Sequence, residues 1–214
     1  MDEADYSPFA GRPGSHGRNV ARVQERDFPG ALRAAALGDE TAFAWLWRDT
    51  HPALLRYLQV MVGAGAEDVA AEVWLEIARG LARFRGGEPE FRGWLFTLAR
   101  RRASDLRRYS GRHPEQLTRD DAELDQPAAD DTAAAALESL STRAALELIA
   151  TLPPYQAEVI VLRVVAGLDV RQVAQITGRR PGAVRVAAHR GLRTLRERVA
   201  DVTVTSPGRG GVTL

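Results

Sequence analysis

Cysteine is absent from the 214 residues, which removes disulfide frameworks, thiolate metal sites and cysteine nucleophiles together. Lysine is absent too, so every basic group other than the four histidines is an arginine. A GC-rich genome produces that uniformity as readily as chemistry does, so position must identify the arginines that matter. No stretch approaches the length of a membrane span, and the opening MDEADYSPFAGRPGSHGRN lacks the apolar core of a signal peptide. These absences predict a soluble, cytoplasmic protein with no membrane insertion. Nothing alternates with period two over a useful length, so no sheet is expected. Paired acids and histidine clusters at ligand spacing are also missing. His51, His113 and His189 stand apart in the sequence, and no metal, no cofactor and no enzyme active site are expected.

What is present is helical periodicity and segregated charge. The formal net charge of +1 conceals a basic stretch and an acidic one. Residues 1–28 carry Gly, Pro, Ser and scattered charge without periodicity and read as a disordered tail. Apolar spacing then predicts a helix capped by Asp39 with Phe43, Leu46 and Trp47. A further segment is expected from about Pro52, with Leu54, Leu55, Leu58 and Met61, ending at Gly63–Gly65. Residues 66–84 form the next helix, striped by Val69, Val73, Trp74, Ile77 and Leu81. The helix breaks over 84–91 and resumes over 92–109. Residues 113–139 carry eight acids against one arginine and few large apolar residues, so 111–141 reads as a flexible acidic linker. A second helical unit over 142–201 follows, and 202–214 reads as a flexible tail. The expected fold class is all-α: two small helical domains, 29–110 and 142–201, joined by that linker.

Within the second unit, residues 168–192 read as a helix-turn-helix. Asp169 is the expected N-cap of a helix to Thr177, with Val170, Val173, Ala174 and Ile176 as apolar positions. Gly178 allows the turn, and Pro181 suits the first turn of the second helix. Val184, Ala188 and Leu192 are expected inside, leaving Arg185, His189 and Arg190 outside. Such a helix suits the major groove of DNA, although a helical hairpin with a solvated face has the same periodicity.

The first unit concentrates positive charge. Between Arg79 and Arg112 stand ten arginines against three acids. On the 92–109 wheel, Leu95, Leu98, Ala99 and Leu106 share a face from which Arg100, Arg101, Arg107 and Arg108 project away. Arg102 falls on the apolar side and needs a partner there, such as a neighbouring carboxylate. Phe84, Phe91, Trp94, Phe96 and Tyr109 interleave with the charges, a combination suited to single-stranded nucleic acid. The plainer reading makes Phe91 and Trp94 core residues.

Three blocks, AEDVAAEVWLEI (66–77), FRGWLFTLARRRASDLRR (91–108) and the 152–195 stretch, resemble in order and spacing the extracytoplasmic-function (ECF) sigma factors. These are specificity subunits of bacterial RNA polymerase. The resemblance covers roughly residues 31–200. It implies a region 2-like domain that contacts the polymerase clamp and opens and reads the promoter −10 element. It also implies a region 4-like domain that reads the −35 element and docks on the polymerase flap. On that basis Phe84, Arg85, Phe91, Arg92, Arg100, Arg101, Arg107 and Arg108 are the implied −10 DNA set. Arg179, Arg180, Pro181, Arg185, Val186, His189 and Arg190 are the implied −35 set. Asp68, Glu72 and Glu76 are implied to meet the polymerase, although Glu67 and Asp68 would equally stabilise their helix through its dipole. RNA polymerase core, promoter DNA and an anti-sigma protein are the implied partners.

The chain departs from the family pattern at a few positions. Ala71 stands where many relatives carry glutamine, Arg101 where an asparagine is frequent, and Val186 and Ala187 where serine and arginine are usual. The acidic linker fits a segment threading near the polymerase active-site and RNA-exit channel, and equally a solvated tether. Two other functions compete: a stand-alone helix-turn-helix regulator, which has no use for the 66–108 block, and an enzyme on nucleic acid, which lacks candidate catalytic groups.

Overall fold

The computed structural model describes residues 27–112 and 133–204, with side chains for 27–111 and 140–200. Every regular element among these residues is helical. Helix α1 (Phe28–Ala36) is capped by Asp27, whose carboxylate accepts from Gly30 N. Phe28 is buried and packs edge-on against Trp45 and Phe91. The sequence reading placed Phe28 in a disordered tail, but its ring belongs to the core. Residues 1–26 lie outside the described part.

Helix α2 (Glu40–Val62) is continuous, with Asp39 as N-cap accepting from Ala42 N. The two segments expected on either side of Pro52 are therefore one helix. Proline removes one N–H, whose partner would be the carbonyl of Arg48, on an exposed turn where solvent can serve. Buried Leu46, Thr50, Leu54, Tyr57, Leu58 and Met61 keep one face inward across the proline. Helix α3 (Ala66–Gly80) buries Val69, Val73, Trp74 and Ile77, and Leu81 follows in a short 3-10 turn. Helix α4 (Glu88–Arg112) starts four residues before the expected 92, which turns Phe91 inward with Leu95, Phe96, Ala99 and Ala103.

Helix α5 (Ala133–Ala150) begins inside the segment read as linker, so the linker reading is corrected over 133–141. A run of alanines from Ala133 supplies the helix propensity that the acidic composition obscured. Residues 113–132 lie outside the described part, as do 205–214. Helix α6 (Pro154–Ile160) runs into a wide π-turn over Val161–Val165, tied off where Arg163 Nη1 donates to the Leu168 carbonyl at 2.6 Å. Helices α7 (Val170–Thr177) and α8 (Pro181–Val204) complete the chain; α8 reaches three residues past the expected domain end at 201.

The α1–α4 and α5–α8 units pack on one another. Helix α2 contacts α5, α6 and the π-turn, and α4 contacts α7. One buried cluster runs from Phe28 and Leu46 through Leu95 to Val161, Leu168 and Val184. Val60 touches both that cluster and the smaller one around Leu146 and Ile149.

Candidate nucleic-acid interface

The helix-turn-helix is built by local chemistry. Asp169 Oδ1 accepts from Arg171 N at 2.6 Å and from Gln172 N at 2.8 Å, while Gln172 Oε1 accepts from Asp169 N at 2.8 Å. This reciprocal capping box fixes where α7 starts. Gly178 closes the helix at φ 65°, the left-handed conformation that glycine adopts without strain. Pro181 opens α8.

The inward stripe of α8 is Val184, Ala187, Ala188, Gly191 and Leu195, and differs from the expected Val184, Ala188 and Leu192. Leu192 is exposed and Ala187 is buried. The stripe is thus rotated by about one position from the expected one. Gly191 is the cause: a Cβ there would stand 2.9 Å from Ile160 Cγ1, so α8 approaches α6 through a residue without a side chain. The outward stripe carries Arg185, Val186, His189 and Arg190, all exposed, with Arg179, Arg180 and Pro181 exposed at its start. Among the described residues, Arg180, Arg185 and Arg190 form no ion pair. Arg179 lies over the Tyr155 ring at 5.6 Å. A groove-sized helix therefore presents free guanidinium groups around one apolar side chain, Val186.

The first unit holds its basic groups differently. Phe84 stacks on Trp94 with centroids 5.2 Å apart, above a floor formed by Phe91. Phe91 is fully buried, so it cannot itself touch a base; Phe84, half-buried at the rim, can. The loop between them is held by Gly87 N donating to Glu90 Oε2 at 2.8 Å, and by Arg85 Nη1 donating to the Phe84 carbonyl at 2.8 Å. Arg92 is tied to Asp49 at 2.8 Å and to Glu88 at 2.9 Å, and lies over Phe28. Arg101, Arg107 and Arg108 are exposed, with Arg108 paired to Asp105 at 2.6 Å and Arg107 donating to Ser104.

Two arginines of α4 show how far local pattern reaches. Arg102, on the apolar side, has the carboxylates its position demanded: Glu72 at 3.2 Å and Glu76 at 3.1 Å. Those acids of α3 therefore join α3 to α4, and Glu76 also faces Arg101 at 3.6 Å. Asp68, exposed in the first turn of α3, lies with Glu67 at a helix N-terminus that has no side-chain cap. Arg100 does not project freely as expected. Its Nε donates to Glu158 Oε1 of α6 at 2.8 Å.

Glu158 and Tyr57 were not singled out by sequence reasoning. Tyr57 Oη donates to the same Glu158 oxygen at 3.2 Å. Burial, reinforced by the Glu158 carboxylate, raises the Tyr57 hydroxyl well above its ordinary value. The available signal was a lone acid in the apolar run YQAEVIVL. His51 forms another cluster: Trp74 Nε1 donates to its Nδ1 at 3.2 Å, and Trp47 stacks on it. Burial lowers its affinity for a proton below the ordinary 6.5, with Glu67 opposing. Among the described residues no acid or histidine cluster could hold a metal ion, and no helix is long and apolar enough to cross a membrane.

Comparison with known proteins fits both halves of this architecture. Residues 46–113 match the family model for Sigma-70 region 2, and residues 135–195 match that for Sigma-70, region 4. The chain is 35% identical to the ECF RNA polymerase sigma factor ShbA of Streptomyces griseus, over 82% of this chain and 97% of that protein. It is 32% identical to the ECF RNA polymerase sigma factor SigD of Mycobacterium tuberculosis, covering 83% and 86%. The fold resembles that of the sigma factor RpoE in its complex with the anti-sigma factor NepR from Bartonella quintana. That likeness has a TM-score of 0.58 and 20% identity, over 74% of this chain and 96% of that one. With its region 2 and region 4 units both in place, the chain belongs to the ECF family of RNA polymerase sigma factors.

Proposed function

We propose that this sigma factor directs core polymerase to promoters by reading a −35 element with α8 and a −10 element with α4 and the 84–87 loop. The observation that carries this reading is the outward stripe of α8, where Arg185, His189 and Arg190 flank Val186, all exposed, behind a helix fixed by a capping box. Arg179, Arg180 and Pro181 lie where the start of that helix would meet phosphates. In the first unit, Phe84 offers a ring to an unstacked base, with Phe91 supporting it from below. Arg85, Arg92, Arg100, Arg101, Arg107 and Arg108 supply backbone contacts. Asp68, Glu72 and Glu76 on α3 form the acidic face proposed to meet the polymerase clamp, and the second unit the part that docks on its flap.

In this reading the protein works in the cytoplasm as a specificity factor and catalyses no reaction itself. Core would hold its two modest DNA contacts at a set spacing, so that binding at one raises the effective concentration of the other. An anti-sigma protein is a further proposed partner, since a solved protein of like fold is seen with one. The test is run-off transcription with core polymerase and this chain on a library of upstream fragments from its own genome. Discrete starts downstream of a shared two-box motif are expected. Duplex binding by the chain alone, with no core-dependent start, would instead make it a stand-alone regulator.

A further inference from the structure

Phe28 is the first residue of α1, set there by the Asp27 cap before it and by Pro29 after it, whose fixed φ suits the first turn of a helix. Its buried ring lies 5.8 Å from Trp45 of α2 and 5.6 Å from Phe91 of α4, with the Arg92 guanidinium over it at 5.5 Å. Helix α1 thereby touches both ends of the 84–87 loop. Ahead of the loop, α1 lies against the 3-10 turn Leu81–Arg83, where the Leu81 carbonyl accepts from Phe84 N at 3.0 Å. Beyond it, Phe28 meets Phe91, and Phe91 meets Phe84 edge-on at 5.9 Å.

The loop leaves Phe84 little freedom of its own, since a Cβ on Gly86 would stand 3.2 Å from Phe84 Cζ. Stacking on Trp94 sets the plane of the Phe84 ring, and the perpendicular Phe91 limits sliding within that plane. An edge-to-face pair holds its rings at a set angle, because the positive edge of one meets the negative face of the other. Among the described residues Phe91 has three ring neighbours, Phe84, Trp94 and Phe28, and only Phe28 comes from outside the segment 84–94.

We propose that Phe28 is a positioning residue for base capture: through Phe91 it holds the Phe84 ring where an unstacked base is received. The first turn of α1 then sets how well the loop tells a base from an empty sugar. This rests on the reading of Phe84 as the ring that takes the base. A base leaving its stack gains most from a ring already in place, since ordering that ring on binding would subtract from the affinity.

The test uses core polymerase with the full chain, and a fluorescein-labelled non-template strand carrying the −10 box of a promoter found with this chain. Each nucleotide of the box is replaced in turn by an abasic one, and binding is read by anisotropy. With the unaltered chain, one position should cost about tenfold in affinity, within the range of one base stacked on one aromatic ring. Phe84→Ala should abolish that cost. Phe28→Leu keeps an apolar side chain in the core but offers Phe91 no ring. The cost should then shrink to about threefold, because one ring–ring pair is worth roughly a factor of three. The loss should fall on the intact strand, with affinity for the abasic strand unchanged, whereas a merely structural role would weaken both strands together.

An undiminished cost with Phe28→Leu, or equal weakening of both strands, would overturn the proposal. If circular dichroism shows Phe28→Leu unfolded, Trp45→Leu, which alters the half-buried ring against Phe28, decides by the same two criteria. Failure of the underlying reading has a separate signature: no abasic position matters with the unaltered chain, or the cost survives Phe84→Ala. Either result would take the proposal down with it.

Discussion

Val186 stands half exposed among Arg185, His189 and Arg190. Against a major groove, an apolar side chain finds its own kind in the methyl group of thymine. Replacing thymines of the −35 box one at a time by uracil should therefore weaken binding at one position by about 0.8 kcal/mol, roughly the value of a buried methylene. The same replacement should be neutral for Val186→Ala; anisotropy titrations on duplexes measure both. His51 makes a second prediction. Its folded affinity for protons is below the ordinary 6.5, so its contribution to stability is complete above that pH and is lost as the pH falls from there through the folded value. Protonation at Nδ1 would also break the bond from Trp74. The urea midpoint should drop between pH 7 and 5, and His51→Gln, which keeps an acceptor but cannot titrate in that range, should flatten the drop. At this scale the sequence was legible where a residue conflicted with its own helix. Arg102 on an apolar face demanded a carboxylate, and Glu72 and Glu76 supply it. Arg100 satisfied its helical wheel, and nothing local could reveal that Glu158, 58 positions away, would claim it.

Elements were legible where capping and turn chemistry set their ends. Asp39, Asp169, Gly178 and Pro181 hold the expected positions, because each acts through backbone groups a few residues away. Asp169→Ala removes both acceptor contacts of the capping box and should cost about 1 kcal/mol in unfolding free energy. The duplex affinity of α8 should fall with it as α7 loosens. Expectation failed where a rule depends on surroundings. Pro52 was read as a break, yet its missing donor falls on an exposed turn and the helix runs on. The inward stripe of α8 was misplaced because apolarity favoured Leu192 over Gly191, whereas the close approach of α6 requires the smaller residue. Gly191→Ala should gain about 1 kcal/mol in helix propensity. It should lose about 1–3 kcal/mol from overpacking against the buried Ile160, for a net destabilisation of up to about 2 kcal/mol readable in thermal melts.

Across the whole molecule, two helical units were legible from periodicity, and the resemblance of three sequence blocks was enough to identify the family. Their packing was not, because the seam is made of ordinary core residues such as Val60, Val161 and Leu168, whose pattern carries no address. The packed chain leaves the α8 stripe exposed and engages Arg100 of the α4 face, so the two proposed DNA contacts are unequally available. Under the proposed function, core polymerase holds both contacts at one separation. Core-directed run-off transcription from a promoter found with this chain, compared with the same promoter lengthened by about half a helical turn (roughly five base pairs) between its two boxes, tests this most directly. The account predicts that the discrete start is lost from the lengthened promoter while duplex binding at its −35 box persists. An undiminished start from the lengthened promoter, or the same start without this chain, would contradict it.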